Sequence, residues 1–313
     1  MAARARITHD PPPVFPVFPG WARLPASTQA VQDPDFLAGA ALAALHPIAC
    51  HEHLLRMLWR QRLALSCAAV LARQEGRTED EAALRDHWYL RRETDDPGPA
   101  GRILKAWRWL GESSAMPPDN WAVSLGALLA HRFDDGLLDT VAFARDQIKG
   151  QGSAVAAAAA VAATSLRFRP DCRPLALWLA DAVLAHKLGW RAPVPLLAAH
   201  LQRGDLRLAT AHVDGDSPWR TACDLAYARG GAVAADLYSD LSRRAEKLLK
   251  VAPQLRGKDA DMTVAILLGE DAQAARTGKA ASDRSSRRLF ERLIALGGVR
   301  ELTGRPTFRL YGL

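Results

Sequence analysis

A chain of 313 residues that is 49% hydrophobic and 24% charged can bury a sizeable core, and a net charge of +7 is too small to hold it unfolded. Ala and Leu dominate the apolar residues while Ile, Tyr and Phe are few, so the composition points to an all-α protein of about two domains. The longest apolar run, Ala154 to Ala163, is half a membrane span, and Met1 to Arg6 leads into Pro11-Pro12-Pro13 rather than an apolar leader. A membrane partner is not expected, and the chain reads as cytoplasmic.

Residues 1–30 read as a Pro-rich extended arm. The run Pro11-Pro12-Pro13-Val14-Phe15-Pro16-Val17-Phe18-Pro19 cannot be helical, and its two Phe with Trp21 point to a strap lying against the rest of the protein. Residues 31–255 read as a multi-helix body. A first helix near Asp35 to Leu45 meets Pro47, and a second spans about Ile48 to Gln74 before Gly76. Thr78 and Glu81 form a capping box for a third helix, and Asp95-Asp96-Pro97-Gly98-Pro99 is a loop before a Trp-rich helix from Ile103 to Leu110. Further helices are expected at 121–131, 137–148, 153–165, 174–188, 194–203, 218–228 and 231–250. Cys50, Cys67, Cys172 and Cys223 lie far apart with no C-x-x-C pair, which suits reduced core thiols.

Residues 256–313 read differently. From Lys279 to Leu313 there are eight basic and three acidic residues, a net of +5, which leaves only +2 for the other 278. Such local charge favours a discrete polyanion-binding element. After a helix at Asp259–Leu268, Ser282 can cap a helix from Asp283 on which Ser286, Leu289, Phe290, Leu293, Ile294 and Leu296 share one face. Arg284, Arg288 and Glu291 lie opposite, with Arg287 and Arg292 at the flanks. Val299 to Leu302, a turn at Thr303-Gly304-Arg305-Pro306, and Thr307 to Tyr311 then alternate as a short β-hairpin. Helix followed by hairpin is the order of a winged helix, in which the helix enters the major groove and the wing reaches phosphate or minor groove. Arg284, Arg287, Arg288, Arg292, Arg300, Arg305 and Arg309 are therefore the expected DNA contacts, in a non-enzymatic accessory protein that needs no cofactor. A protein partner, bound through the same module used as an adaptor, or a homo-oligomer is the alternative.

The stretch Leu296-Gly297-Gly298-Val299-Arg300-Glu301-Leu302-Thr303-Gly304-Arg305 resembles the C-terminal winged helix of many Fic-domain proteins, and Tyr311-Gly312 after it is similar to that of the segregation protein ScpB. Leu58 to Leu63, Asp95 to Arg102, Leu175 to Asp181 and the tail from Arg287 to Leu313 resemble an alphaproteobacterial, often plasmid-borne domain of unknown function. That resemblance implies a bacterial accessory or mobile-element setting and no activity.

Three further groups bear on chemistry. His131-Arg132-Phe133-Asp134-Asp135-Gly136 resembles the front half of the Fic motif, which would make His131 a general base and the acid a Mg²⁺ ligand. Leu137, Leu138 and Asp139 replace the phosphate-cradling Asn-Gly-Arg half, so at most a degenerate nucleotidyl transferase is implied. Arg73-Gln74-Glu75-Gly76 faintly resembles the Glu-Gly helix of the same proteins. His46, Cys50 and His53 have the i, i+4, i+7 spacing of metal ligands, although Pro47 interrupts them. Asp181 has only apolar neighbours one helical turn away and so needs a buried partner, for which Arg60 and Arg62 are the candidates.

Overall fold

The computed structural model describes residues 10–24, 33–92, 94–130, 134–202, 204–211, 218–255, 259–275, 283–303 and 308–313. Among them the architecture is mainly helical. In chain order the helices are α1 (Pro34–Cys50), α2 (Arg56–Gln74), α3 (Glu81–Leu90), α4 (Gly98–Leu110), α5 (Trp121–Leu129), α6 (Asp135–Lys149), α7 (Ala154–Phe168), α8 (Arg173–Lys187), α9 (Leu197–His200), α10 (Asp205–Ala211), α11 (Pro218–Val251), α12 (Ala260–Gly269) and α13 (Asp283–Ala295). Three short strands, β1 (Gln273–Ala274), β2 (Arg300–Glu301) and β3 (Leu310–Gly312), form an antiparallel sheet in the order β1-β3-β2. No described helix is long and apolar enough to cross a membrane.

Helix α8 is the centre. Every residue from Pro174 to Ala185 is buried, so the helix has no solvent face and is enclosed by α7, α6, α4 and α9. Tryptophan indoles tie the layers together, each donating its N–H to a main-chain carbonyl of another segment. Trp59 of α2 reaches Ala234 of α11 at 2.9 Å, Trp178 of α8 reaches Ala106 of α4 at 2.9 Å, and Trp219 of α11 reaches Ala159 of α7 at 2.9 Å. Trp109 stacks on Trp178 at 5.0 Å and Trp121 meets it edge-on at 5.7 Å. These rings bury large apolar areas while their one polar group stays satisfied.

Asp181 is the polar exception in α8. It is fully buried, as its neighbours require, but neither arginine expected to pair with it does so. Its carboxylate instead accepts from the main-chain N–H groups of Leu196 at 2.8 Å and Leu197 at 3.2 Å, which open α9. The Tyr227 hydroxyl stands beside it without a well-aligned hydrogen bond of its own. Arg60 spends its guanidinium on the carbonyls of Ala49, Ala192 and Pro193, and Arg62 turns to Asp271. Two main-chain donors converging from one loop satisfy a carboxylate without burying a second charge, which is the less costly solution.

Helix boundaries depart from the periodicity in instructive places. α1 continues through Pro47, because the carbonyl it leaves without a partner belongs to Ala43, which is exposed to solvent. The second helix begins at Arg56, after a break at 51–55, and the third is capped by Asp80, whose side chain accepts from Ala83 at 2.8 Å, rather than by Thr78. The segments 218–228 and 231–250 are one helix of 34 residues, α11. Its Gly230-Gly231 does not break it. A Cβ on Gly231 would lie 3.1 Å from the main-chain carbon and oxygen of Ala41, so the glycine lets α1 lie close along α11. The expected helix at 194–203 shrinks to the four residues of α9, and β1 has no counterpart in the sequence reading.

The arm packs as a strap. Phe18 is buried beneath Arg23, which makes two hydrogen bonds to Asp236 at 2.7 and 2.8 Å, and Tyr238 donates to the Pro13 carbonyl at 2.8 Å. Phe15 covers His53, whose pKa falls to about 4 through burial first and then the nearby Arg60 charge.

The C-terminal elements join the same apolar core, contributing Phe290, Leu293, Val299, Tyr311 and Leu313. Phe290 of α13 stacks on Tyr311 of β3 at 4.3 Å. Their polar anchor is Asp271, 2% exposed, which pairs with Arg62 of α2 and with Arg85 of α3 at 2.7 Å while its N–H donates to Gln61 at 2.8 Å. Arg62 also donates to the Leu313 main-chain oxygen at 3.1 Å, so one guanidinium holds both β1's approach and the end of β3. Beside it, Arg108 and Tyr89 both donate to Glu270, at 2.9 and 3.2 Å.

Two expectations follow. Burial raises the Asp181 pKa to about 7, against the opposing pull of the Leu196 and Leu197 N–H groups and Tyr227. A carboxyl that binds its proton more tightly when folded contributes stability below about pH 4 that is lost as pH rises to 7. His53 acts oppositely, its contribution present above pH 6.5 and lost on acidification toward 4. Because His53 titrates in the opposite sense over the same range, the readout is a difference: Asp181→Asn should gain melting temperature relative to the wild type as pH rises from 4 to 7, and a difference that does not change with pH would refute this. Asp271→Ala strands two buried guanidinium groups and should cost about 3–5 kcal/mol in urea unfolding, with loss of amide-exchange protection at β1 and β3. Unaltered unfolding would show that the anchor carries nothing.

Candidate nucleic-acid interface

The expected DNA contacts divide into three sets. On α13, Arg287, Arg288 and Arg292 are exposed and, among the described residues, meet no carboxylate within ion-pair distance. They are held outward because the other face of the helix is committed: Phe290 and Leu293 are buried, Ser286, Leu289 and Leu296 half-buried. Ile294, placed on the apolar face by its period, is 41% exposed. Arg288 and Arg292 line an open cleft of about 820 Å³ with Ser285 and Leu289, opposite Pro253, Gln254 and Leu255 at the end of α11.

Arg300, on β2, and Arg309, just before β3, form the second set. Arg309 is half-exposed and faces Glu301 at 3.5 Å, so part of its charge is already neutralised within the sheet. Arg300 is exposed on β2 and meets no carboxylate within ion-pair distance among the described residues. The third set lies outside the description: Arg305 is not among the described residues, and Arg284 not among the described side chains.

The turn that follows α13 is held against α11. A Cβ on Gly298 would lie 2.7 Å from the Val251 side chain and 3.5 Å from Leu248, so the turn after α13 seats directly on the end of α11. A second cleft, of about 310 Å³, is lined by Asp240, Arg243, Arg244 and Lys247 of α11 and by Gly297 to Arg300 and Leu313. Asp240 accepts from Arg244 at 2.7 Å and Arg243 at 3.3 Å, which pulls its pKa down against the effect of burial. The sequence reading passed over these α11 cations. Their i, i+1, i+4 spacing is visible in the sequence, but it was given no role, and the segment was expected as two helices, 218–228 and 231–250.

The other chemical candidates are placed as follows. His131, Arg132 and Phe133 lie outside the described residues. Asp134 is the N-cap of α6, accepting from Leu137 at 3.0 Å, and it also accepts from Arg169 at 3.0 Å. Its oxygens thus serve a helix end and an ion pair. Glu75 and Gly76 follow the end of α2. His46 and Cys50 share the last turns of α1, but His53 lies beyond the helix end, and no three metal-type side chains among the described residues stand close enough to hold an ion. The Trp190 indole donates to His46 Nδ1 at 3.1 Å, which leaves the neutral ring's proton on Nε2, 3.5 Å from Cys50 Sγ. In that tautomer His46 cannot take the thiol proton, and burial raises the Cys50 pKa further.

Among curated proteins none matches the chain. A family model covers all of the elements described above, from the strap to the last strand. The chain belongs to the family described as protein of unknown function (DUF1403), which matches residues 8–313.

Proposed function

We propose that the C-terminal unit is a winged helix that binds DNA, carried on a helical body that serves as a platform, in a non-enzymatic accessory role such as plasmid or mobile-element maintenance or regulation. The observation that carries the reading is the row of exposed arginines on α13, Arg287, Arg288 and Arg292, which meet no carboxylate within ion-pair distance among the described residues, on a helix whose apolar face is spent on the core. The order α12, β1, α13, β2, β3 with a β1-β3-β2 sheet supports it, since a winged helix places its groove-entering helix directly before the hairpin. The concentration of +5 in the last 35 residues supplies the sequence-independent attraction that any DNA binder needs. A second reading, docking of a protein on this unit, is favoured by the exposed Ile294 and Phe308, 41% and 59% accessible.

Charge variants test this better than truncation, because Phe290, Leu293, Leu310 and Leu313 belong to the core and their removal would expose it. Duplexes selected from a random pool should be retained by the wild type at low salt. Arg288→Ala should lose about 1–3 kcal/mol on the selected site and flatten base preference. Arg305→Ala should weaken all duplexes alike and lower the salt slope by about one unit. Absence of duplex binding by the intact protein at low salt would reject the proposal in favour of the adaptor.

A further inference from the structure

The C-terminal half of α11 carries Arg243, Arg244, Lys247 and Lys250 on successive turns, well before the segment whose sequence pattern suggested DNA contact. Three of them, with Arg300 of β2 facing them, line one cleft. Four cations there confront a single acidic side chain, Asp240, which is already shared between Arg243 and Arg244. Lys247 and Arg300 meet no carboxylate among the described residues. Arg300 stands in a field made by other guanidinium groups, Arg244, Arg62 and Arg85, with only Asp240 opposing, and its pKa is lowered by partial burial first and then by those charges. Arg62 and Arg85 are buried and held on Asp271, so they add potential without reaching solvent. A protein that assembles so many like charges at one seam raises its own energy unless an anion enters.

The arrangement is extended rather than cupped. Lys247 and the Arg243–Arg244 pair lie about one helical turn apart, roughly 6 Å. Arg288 and Arg292 line a separate cleft against the residues that follow α11. A line of separated cations, several of them planar guanidinium forks, suits a polyanion of regular spacing better than one small anion.

We propose that the cleft between α11 and β2 grips the phosphodiester backbone of DNA, so that the helical body itself contributes to the footprint. The inference rests on the DNA-binding reading of α13, extends it to residues of the body, and makes Asp240 a brake on binding.

The test uses the full-length protein and a fluorescent duplex titrated at several salt concentrations. Lys247→Gln with Arg300→Gln should make the salt slope shallower by about two units. Asp240→Asn should tighten binding, a gain that misfolding cannot mimic, because it frees Arg243 and Arg244. Arg288→Gln with Arg292→Gln reports separately on α13. If that variant loses affinity while the Lys247/Arg300 variant keeps the wild-type slope and Asp240→Asn gains nothing, the inference is overturned and the α13 reading stands. If only the cleft variants respond, the inference stands and the α13 reading fails. If the wild type binds no duplex but does bind polyglutamate, both are overturned and an acidic protein is the partner.

Discussion

A helix with no solvent-facing side must be enclosed completely, and α8 imposes that condition on this protein. From Pro174 to Ala185 nothing reaches water, so α4, α6, α7 and α9 must all present apolar faces to it. The only ionisable side chain in that span, Asp181, is answered by main-chain donors rather than by an opposite charge. That choice forces the loop before α9 to approach α8 with two N–H groups forward. The short, irregular path from Trp190 to Leu201 follows from it, as does the position of Tyr227 on α11. The indole bonds extend the same logic outward: Trp59, Trp178 and Trp219 are each buried, and each spends its single donor on a carbonyl of a neighbouring helix.

The second junction is built on different physics. The C-terminal sheet is fastened to α2 and α3 through Asp271, one carboxylate between two buried arginines. Buried ion pairs contribute little net stability against an apolar alternative, yet breaking one is expensive. The anchor therefore fixes the orientation of β1 and β3 more than it stabilises them. It also has an electrostatic consequence. Two guanidinium groups against one carboxylate leave a positive residue of charge in the interior behind β2, and Arg300 feels it at the surface. The anchoring of the C-terminal unit and the basic character of the nearby cleft thus share the same arginines.

Much of this was legible in the chain. Ala and Leu content and helical period correctly marked a mainly helical protein, and the aromatic residues of the arm marked a strap. Asp181 declared its burial through its neighbours, because burial of a helix position depends on residues three and four away. Its partners were not legible, since Leu196 and Leu197 donate as main chain and any residue type would do. Gly230-Gly231 looked like a break because glycine is a poor helix former; in the fold it is the close contact between α1 and α11 that selects it.

By itself, then, the sequence determined what depends on neighbours along the chain: that the protein is mainly helical, which faces of its helices are apolar, and where the charge lies. Tertiary structure alone decided which arginine meets which acid, that β1 joins β3 across the intervening α13, and that α11's cations face Arg300. The reason is physical. Periodicity and capping are set by interactions over about one helical turn, whereas an ion pair such as Arg62 with Asp271 joins residues 209 positions apart. Such pairs are chosen by how the burial of α8 and the seating of Gly298 bring distant surfaces together.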